Sequence, residues 1–136
     1  MTVMDITALE ALMDAEFPQA RHLGAEIESI DDGGLRLRLA VAERHLRPGG
    51  TVSGPVMMEL CDVAMYLLLL SRIGPVALAV TTSLNINFMR KPPAREIVAD
   101  ARLMKLGKRL AVGEVTIGSR DEADPAAHAT LTYAIP

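Results

Sequence analysis

The stretch SGPVMMELCDVAMYLLLLS, residues 53–71, decides the fold because it predicts a single long helix. At about 1.5 Å per residue it forms roughly five turns and extends about 27 Å. Ser53 is a favourable N-cap, Pro55 suits the first turn and Gly74 marks the end, so we predict the central helix at residues 53–72. Its side chains are apolar on every side, which predicts a helix enclosed by the rest of the protein.

Three polar residues form a stripe along this helix. Glu59, Asp62 and Tyr66 are spaced i, i+3 and i+7, and Pro55 lies one turn before them. The two carboxylates argue against a membrane-spanning helix, which needs a long run without charges. Either they are solvated or paired with arginines, or they belong to a functional site. The second interpretation is favoured because a carboxylate in an apolar wall is costly and often marks chemistry.

Length and composition predict one domain over residues 1–136. Half of the residues are hydrophobic, which is enough for a core without disulfides. A net charge of −3 without any long basic run argues against a nucleic-acid partner. The single cysteine, Cys61, is expected in the core, and the three histidines lack metal-site spacing. With no signal-peptide pattern at the start, we expect a cytoplasmic protein without a membrane partner.

The rest of the chain predicts one further helix and about six strands. Residues 1–20 hold a short amphipathic helix at 6–17, and the glycine- and proline-rich segment 43–52 predicts a loop. A hairpin turn is predicted at 31–34. Strands are predicted at residues 22–30, 35–41, 76–89, 96–106, 109–119 and 126–135. The simplest arrangement is a curved antiparallel sheet wrapped around the central helix, which is an α+β fold.

The central helix also predicts an assembly and an anion site. One sheet covers only part of a helix that is apolar all round, so the uncovered side predicts contact with a second copy of the chain. Free N–H groups at the helix start stabilise anions, and Gly54 is the expected donor, with the Ser53 hydroxyl as a second candidate. Asp62 lies about 12 Å along the helix from Gly54, so both reach one small group only if two subunits combine.

Three segments of the chain carry a recognisable motif pattern, namely GTVSGPVMMELCDVAM at 50–65, AVTTSLNINFMRKP at 79–92 and GKRLAVGEV at 107–115. They resemble the hotdog-fold acyl-CoA thioesterases of the phenylacetate-degradation (PaaI) type, and the likeness extends over roughly residues 47–133. Gly54 and Asp62 match the family pattern, as do residues 84–88 and Arg90.

The resemblance implies a hotdog fold and thioester hydrolysis. The family forms a dimer or a dimer of dimers with active sites at the dimer interface, where Asp62 would work opposite the Gly54 N–H of a second copy. The implied substrate is an aromatic or medium-chain acyl-CoA, with coenzyme A as part of the substrate and no separate cofactor. Ser53 and Pro55 stand where the family has a histidine and a second glycine, so one N–H donor is lost and the pocket differs.

The catalytic candidates are Asp62, Gly54 and Ser53. The resemblance implies that Gly54 polarises the thioester carbonyl and that Asp62 either attacks it or activates a water. Glu59 is either a rim residue or a second catalytic carboxylate, and Tyr66 is expected to line the acyl pocket. Cations at strand ends are candidates for the coenzyme A phosphates, although simple solvation explains each of them too. The substrate-binding candidates are Pro55, Glu59, Tyr66, Thr82, Asn85, Asn87, Arg90, Lys91, Lys108 and Arg109.

Two other functions are compatible with this fold. A non-catalytic acyl-CoA-binding protein is suggested by Ser53 and Pro55, but it gives no reason for a carboxylate at Asp62. A hydratase or dehydratase would pair a carboxylate with a histidine near the central helix. No histidine lies between His45 and His128, so that chemistry has little support.

Overall fold

The computed structural model describes residues 1–136 and has one long helix packed on an antiparallel sheet. Six strands form this sheet in the order β1-β2-β6-β7-β8-β5, and β3 pairs with β4 in a separate hairpin. The predicted α+β class is therefore confirmed. The helices are α1 (Ile6–Glu16) and α2 (Gly54–Ile73), and the strands are β1 (Glu26–Asp31), β2 (Gly34–Ala40), β3 (Leu46–Arg47), β4 (Thr51–Val52), β5 (Val80–Phe88), β6 (Glu96–Leu106), β7 (Leu110–Gly118) and β8 (Ala127–Ala134).

Helix α2 begins and ends close to the predicted residues. The Ser53 hydroxyl caps it by accepting the Val56 N–H at 3.3 Å. Every residue from Leu60 to Ser71 is buried except Asp62, which is half-buried, whereas Met58 and Glu59 are exposed. The prediction of an enclosed helix thus holds for its later turns and not for its first ones. Neither helix combines the length and the apolar character needed to cross a membrane.

Close packing against β7 fixes the position of α2. A Cβ atom on Gly113 would lie 2.5 Å from the Met65 sulfur, so the strand has no room for a side chain at this contact. Inward-facing aliphatic side chains such as Leu37, Ile97 and Ile117 are fully buried beneath the helix. Burial of each such side chain stabilises the fold by about 1.5–3 kcal/mol. The orientation of α2, and hence of Asp62, is set by this core.

Two predicted strands begin later than the sequence suggests. The strand predicted at 22–30 begins at Glu26, because Pro18–Leu23 forms a 3₁₀ helix that ends at Gly24 with a left-handed φ of 88°. The strand predicted at 76–89 begins at Val80, because a turn precedes it. In that turn the Ala79 N–H bonds to the Val76 carbonyl at 3.0 Å.

The segment predicted as a loop at 43–52 contains a 3₁₀ turn and the β3–β4 hairpin. The buried His45 side chain organises it. Its Nδ1 accepts the Ala42 N–H at 2.9 Å, and its Nε2 donates to the Leu23 carbonyl at 2.8 Å. The Ser53 N–H in turn bonds to the His45 carbonyl at 2.9 Å. This histidine therefore holds the segment that leads into α2.

The sheet face opposite α2 carries a network of ion pairs. The best-formed pair joins Arg36 to Asp100 through two hydrogen bonds of 2.7 and 2.9 Å. The other pairs join Arg36 to Glu28, Arg38 to Glu26, Arg120 to Glu28 and Glu96, and Arg102 to Glu114, which also binds His128. We call this surface the outer face.

Candidate active site

Asp62 lies where α2 meets the start of β5 and the end of β8. Its Oδ1 accepts hydrogen bonds from the hydroxyls of Thr81 and Tyr133, each at 2.6 Å. The Tyr133 hydroxyl also lies 3.0 Å from the Asp62 backbone carbonyl oxygen. Oδ2 has no hydrogen-bond partner in the chain. A half-buried carboxylate with one oxygen fixed and the other open is suited to act as a base or a nucleophile.

No ion pair neutralises Asp62. Burial, with the Asp62 charge adding to it, raises the pKa of Tyr133 and also raises the pKa of Cys61 to about 12. Burial raises the pKa of Tyr66, with a smaller contribution from Glu16. These neighbours therefore stay neutral, and the contacts of the Asp62 carboxylate are hydroxyl donors rather than a cation. Cys61 is buried, as predicted.

A β-bulge brings Thr81 to Asp62. Thr81 pairs with Tyr133 on β8, but the register shifts immediately afterwards, so Thr82 is an extra residue in β5. The bulge reverses the alternation of side chains along the strand. Thr81 therefore faces α2 together with Leu84, although the two are three residues apart.

The start of α2 borders an open cleft of about 280 Å³. Gly54 lines this cleft beside Phe88, and a Cβ atom at Gly54 would lie 3.4 Å from the Phe88 ring. The side chain and carbonyl of Ser53 accept two N–H groups of the first helical turn, and Pro55 has none. The Gly54 N–H has no acceptor in the chain. It is the one unpaired donor of this turn, as an anion site requires.

Asp62 and Gly54 lie at opposite ends of β5. Asp62 contacts Thr81 near the first residue of the strand, whereas Gly54 abuts Phe88 at its last residue. The strand has 9 residues and so extends roughly 27 Å. It is also an edge of the sheet, with backbone groups unpaired on its outer side. Exposed apolar side chains flank this edge, namely Met58, Leu78, Val80, Phe88 and Met89.

The other candidates on α2 differ in burial. Pro55 and Glu59 are exposed at the rim of the first turns. Tyr66 is 4% exposed, and its hydroxyl donates to the Ala77 carbonyl at 2.9 Å. Its ring packs edge-to-face on Phe17 with centroids 5.5 Å apart. Within one chain Tyr66 is thus a core residue beneath Asp62 and reaches no open cavity.

The polar candidates on β5 face away from Asp62. Thr82 is exposed in the bulge, and its hydroxyl donates to the Thr132 carbonyl at 3.2 Å. Asn85 and Asn87 are exposed and alternate with the half-buried Leu84, so they project from the outer face. Within one chain, the structure brings none of these three side chains to Asp62 or to the Gly54 cleft.

The cationic candidates form two separate groups. Arg90 and Lys91 line the Gly54 cleft, but Arg90 is also bound to Glu122 at 2.7 Å and to the Asp124 carbonyl. The other group, Lys108 and Arg109, lies in the β6–β7 hairpin at the opposite end of the sheet. This follows from the register, since Leu110 and Val80 both pair with Ala134.

Three residues of the site were missed by sequence reasoning: Thr81, Tyr133 and Arg47, the last of which also lines the Gly54 cleft. The small number of aromatic residues was a signal in the sequence that could have indicated Tyr133. The chain has two tyrosines, two phenylalanines and no tryptophan. Phe17, Tyr66 and Tyr133 form one cluster beneath Asp62, and Phe88 lies against Gly54. All four rings therefore pack beneath Asp62 or against Gly54.

Residues 49–126 match the family model described as the thioesterase superfamily. This region is more than half of the chain, so the protein belongs to that superfamily, and its architecture is the hotdog fold. The predicted resemblance to hotdog-fold thioesterases is confirmed by this family match, and a PaaI protein is among the proteins of similar fold.

Two solved structures illustrate this relationship. A "putative thioesterase" from Silicibacter sp. TM1040 is 46% identical, with a TM-score of 0.90 over 100% of this chain and 94% of that chain. The E. coli PaaI protein from the phenylacetic acid degradation operon is 23% identical, with a TM-score of 0.78 over 93% of this chain and 94% of that chain. At 23% identity the likeness shows the fold alone.

One curated relative is a "putative esterase" from Halobacterium salinarum. It is 35% identical over 101 residues, which are 70% of this chain and 66% of that protein. The chain spans slightly less than two thirds of the length of the curated relatives it matches, 66% and 62%.

Proposed function

We propose that the protein is a thioesterase that hydrolyses an aromatic or medium-chain acyl-CoA in a site formed by two copies of the chain. The observation that carries the proposal is the open carboxylate of Asp62, held by hydroxyls and unpaired with any cation, on the same helix as the free Gly54 N–H. Membership of the thioesterase superfamily supports the reaction class.

These two groups supply what thioester hydrolysis needs. The Gly54 N–H and the dipole of α2 polarise the carbonyl and stabilise the oxyanion that forms. Asp62 Oδ2 takes a proton from a water that adds to the carbonyl carbon, or it adds to that carbon itself and forms an anhydride that water then cleaves. Both routes break the carbon–sulfur bond and release a carboxylic acid and the coenzyme A thiol.

Antiparallel pairing of two β5 edges would bring together two half-sites, Asp62 of one copy and the Gly54 cleft of the other. It would satisfy the unpaired backbone groups of each edge and cover Val80 and Phe88, which are 55% and 48% exposed. The start of one β5 would then lie beside the end of the other. Asp62 of one copy would come close to Gly54 of the second, and the two-fold symmetry would create two identical sites.

The cleft beside Gly54 is the proposed entrance for coenzyme A. Arg47 and Lys91 line it and form no ion pair, whereas Arg90 already shares its charge with Glu122. In the antiparallel dimer, the β6–β7 hairpin of the second copy would lie at this same end of the combined sheet. Guanidinium and ammonium groups suit the phosphates of coenzyme A.

The acyl group is proposed to lie against the first turns of α2. Met57 lines the cleft, and Met58, the next residue of α2, is 41% exposed. Methionine side chains adapt to irregular apolar ligands, so this wall suits aromatic and medium-chain groups alike. Pro55 and Glu59 would form its rim.

A hydratase or dehydratase is not supported by the positions of the histidines. Both ring nitrogens of His45 are bonded in the core, and His128 binds Glu114 on the outer face. A non-catalytic acyl-CoA-binding protein would bind the same ligands without releasing a thiol, so one assay separates it from a thioesterase.

The test is thiol release from benzoyl-, phenylacetyl-, hexanoyl-, octanoyl- and acetyl-CoA by the purified protein. We expect turnover of an aromatic or medium-chain substrate in preference to acetyl-CoA. Binding of these compounds without thiol release would support the non-catalytic alternative. Sedimentation at micromolar concentration should give a dimer or tetramer, and a stable monomer would contradict the shared site.

A further inference from the structure

We infer that Tyr133 is a positioning residue of the thioesterase reaction, whose hydroxyl fixes Asp62 so that Oδ2 alone meets the water or the substrate. This inference rests on the proposed function. The Tyr133 hydroxyl lies 2.6 Å from Asp62 Oδ1 and 3.0 Å from the Asp62 carbonyl oxygen. One hydroxyl thus contacts both the side chain and the backbone of the same residue.

The ring that carries this hydroxyl cannot easily move. Tyr133 is 2% exposed, and its ring lies 6.3 Å from that of Tyr66. On β8 it is the cross-strand partner of Thr81, whose hydroxyl donates to the same Oδ1. Rotation of the Asp62 carboxylate would break both hydrogen bonds, so Oδ2 keeps the open position.

Tyr133 keeps the proton that it donates to Asp62. Burial, with the Asp62 charge adding to it, raises the pKa of Tyr133, so its hydroxyl stays protonated. The hydroxyls of Tyr133 and Thr81 are the two groups that bind Oδ1, and no ion pair competes with them. Tyr133 and Thr81 therefore determine the orientation of the Asp62 carboxylate.

The experiment compares wild type with Tyr133→Phe, which removes only the hydroxyl. We expect kcat for the best acyl-CoA of the panel to fall about 10- to 100-fold, as for loss of a hydrogen bond to a charged group. KM should change little, because the hydroxyl contacts Asp62 and Tyr133 does not line the cleft proposed for coenzyme A. A purely structural tyrosine would lower the melting temperature and leave kcat of the folded protein in place.

The matched control is Thr130→Val, which removes an exposed hydroxyl from the outer side of the same strand. It should keep the wild-type kcat and KM. An unchanged kcat in Tyr133→Phe would overturn the inference. In the Asp62→Asn background, Tyr133→Phe should cause little further loss, whereas a full additional loss would show that Tyr133 acts independently of Asp62.

A second variant covers the case in which Tyr133→Phe folds poorly. Replacement of Tyr133 by 3-fluorotyrosine keeps the packing and makes the hydroxyl a stronger donor to Asp62 Oδ1. We then expect kcat to change while KM and the melting temperature stay at their wild-type values, and an unchanged kcat would contradict the inference. If wild type releases no thiol from any acyl-CoA, the proposed function fails. An active wild type with unaffected Tyr133 variants overturns only the positioning role.

Discussion

Acidic side chains on the two faces of the sheet are stabilised in different ways. On the outer face, arginines bind Glu28, Asp100 and Glu114, and hydrogen bonds from Arg120 and Arg102 lower the pKa of Glu28 and Glu114. On the helix side, Asp62 has two hydroxyl donors and no cation. A carboxylate bound by arginines has its charge neutralised and stabilises the fold. The Asp62 carboxylate has no cation partner and one open oxygen, so it remains available to a ligand.

The basic side chains show the same contrast. Arg36, Arg102 and Arg120 are occupied by carboxylates on the outer face. Arg47 and Lys91 line the Gly54 cleft without a carboxylate partner. Unpaired charges of both signs therefore occur at Asp62 and in the Gly54 cleft. This difference predicts which substitutions change activity and which change stability.

The largest expected effect is that of Asp62→Asn. The amide keeps the shape and can still accept the two hydroxyls, but it loses basicity and nearly all nucleophilicity. We expect kcat to fall about 10²- to 10⁴-fold while the melting temperature and oligomeric state persist. Thiol-release kinetics and thermal melting measure the two outcomes.

Glu59→Gln is the matched control for that variant. Glu59 lies one turn earlier on α2 and is exposed, so its substitution should cost far less activity. A larger loss at Glu59 than at Asp62 would mean that the two carboxylates have been assigned the wrong roles.

A moderate effect is expected in the Gly54 cleft. Joint replacement Arg47→Gln and Lys91→Gln should raise KM for acyl-CoA about 3- to 10-fold with little change in kcat, because exposed ion pairs are individually weak. Lys108→Gln with Arg109→Gln should act in the same direction if the second copy contributes to phosphate binding. Steady-state kinetics at low ionic strength provide the measurement. An unchanged KM in both variants would mean that the coenzyme A part of the substrate binds elsewhere.

The smallest effect is expected on the outer face. Glu28→Gln should leave kcat unchanged and lower the melting temperature at pH 7 by no more than a few degrees. Because the folded-state pKa of Glu28 lies below its usual 4.5, its contribution is complete above that pH and is lost as the pH falls through the lowered value. The difference from wild type should therefore shrink below about pH 4.5. A loss of kcat in this variant would contradict the separation of the two faces.

The central helix and the long strands could be predicted from sequence because their signals are local. Apolar runs, the Ser53 cap and alternation along β6, β7 and β8 depend on neighbours only a few residues apart. Asp62 and Gly54 were found for the same reason, since each stands out against its immediate surroundings on one helix.

The partners of Asp62 could not be predicted because they depend on long-range packing. Tyr133 lies 71 residues from Asp62, and a bulge at Thr82 directs Thr81 inward. Simple alternation through this strand assigns Thr81 to the wrong face. The 3₁₀ turn and the β3–β4 hairpin within residues 43–52 could not be predicted for a similar reason. They depend on the contacts of the buried His45 with distant residues such as Leu23.

The central claim is that each active site combines Asp62 of one copy with Gly54 of another, and mixed dimers test it most directly. Asp62→Asn removes one half-site. Gly54→Leu disrupts the other, because its side chain would compete with Phe88 for space. Each variant alone should be nearly inactive.

Random pairing of equal amounts would make about half of the dimers mixed, each with one intact site of two, so the mixture should regain about a quarter of wild-type activity. The measurement is thiol release after co-refolding or co-expression of the two variants. Recovery to that level is the predicted result. A mixture no more active than the sum of its components would contradict the account and locate the whole site within one chain.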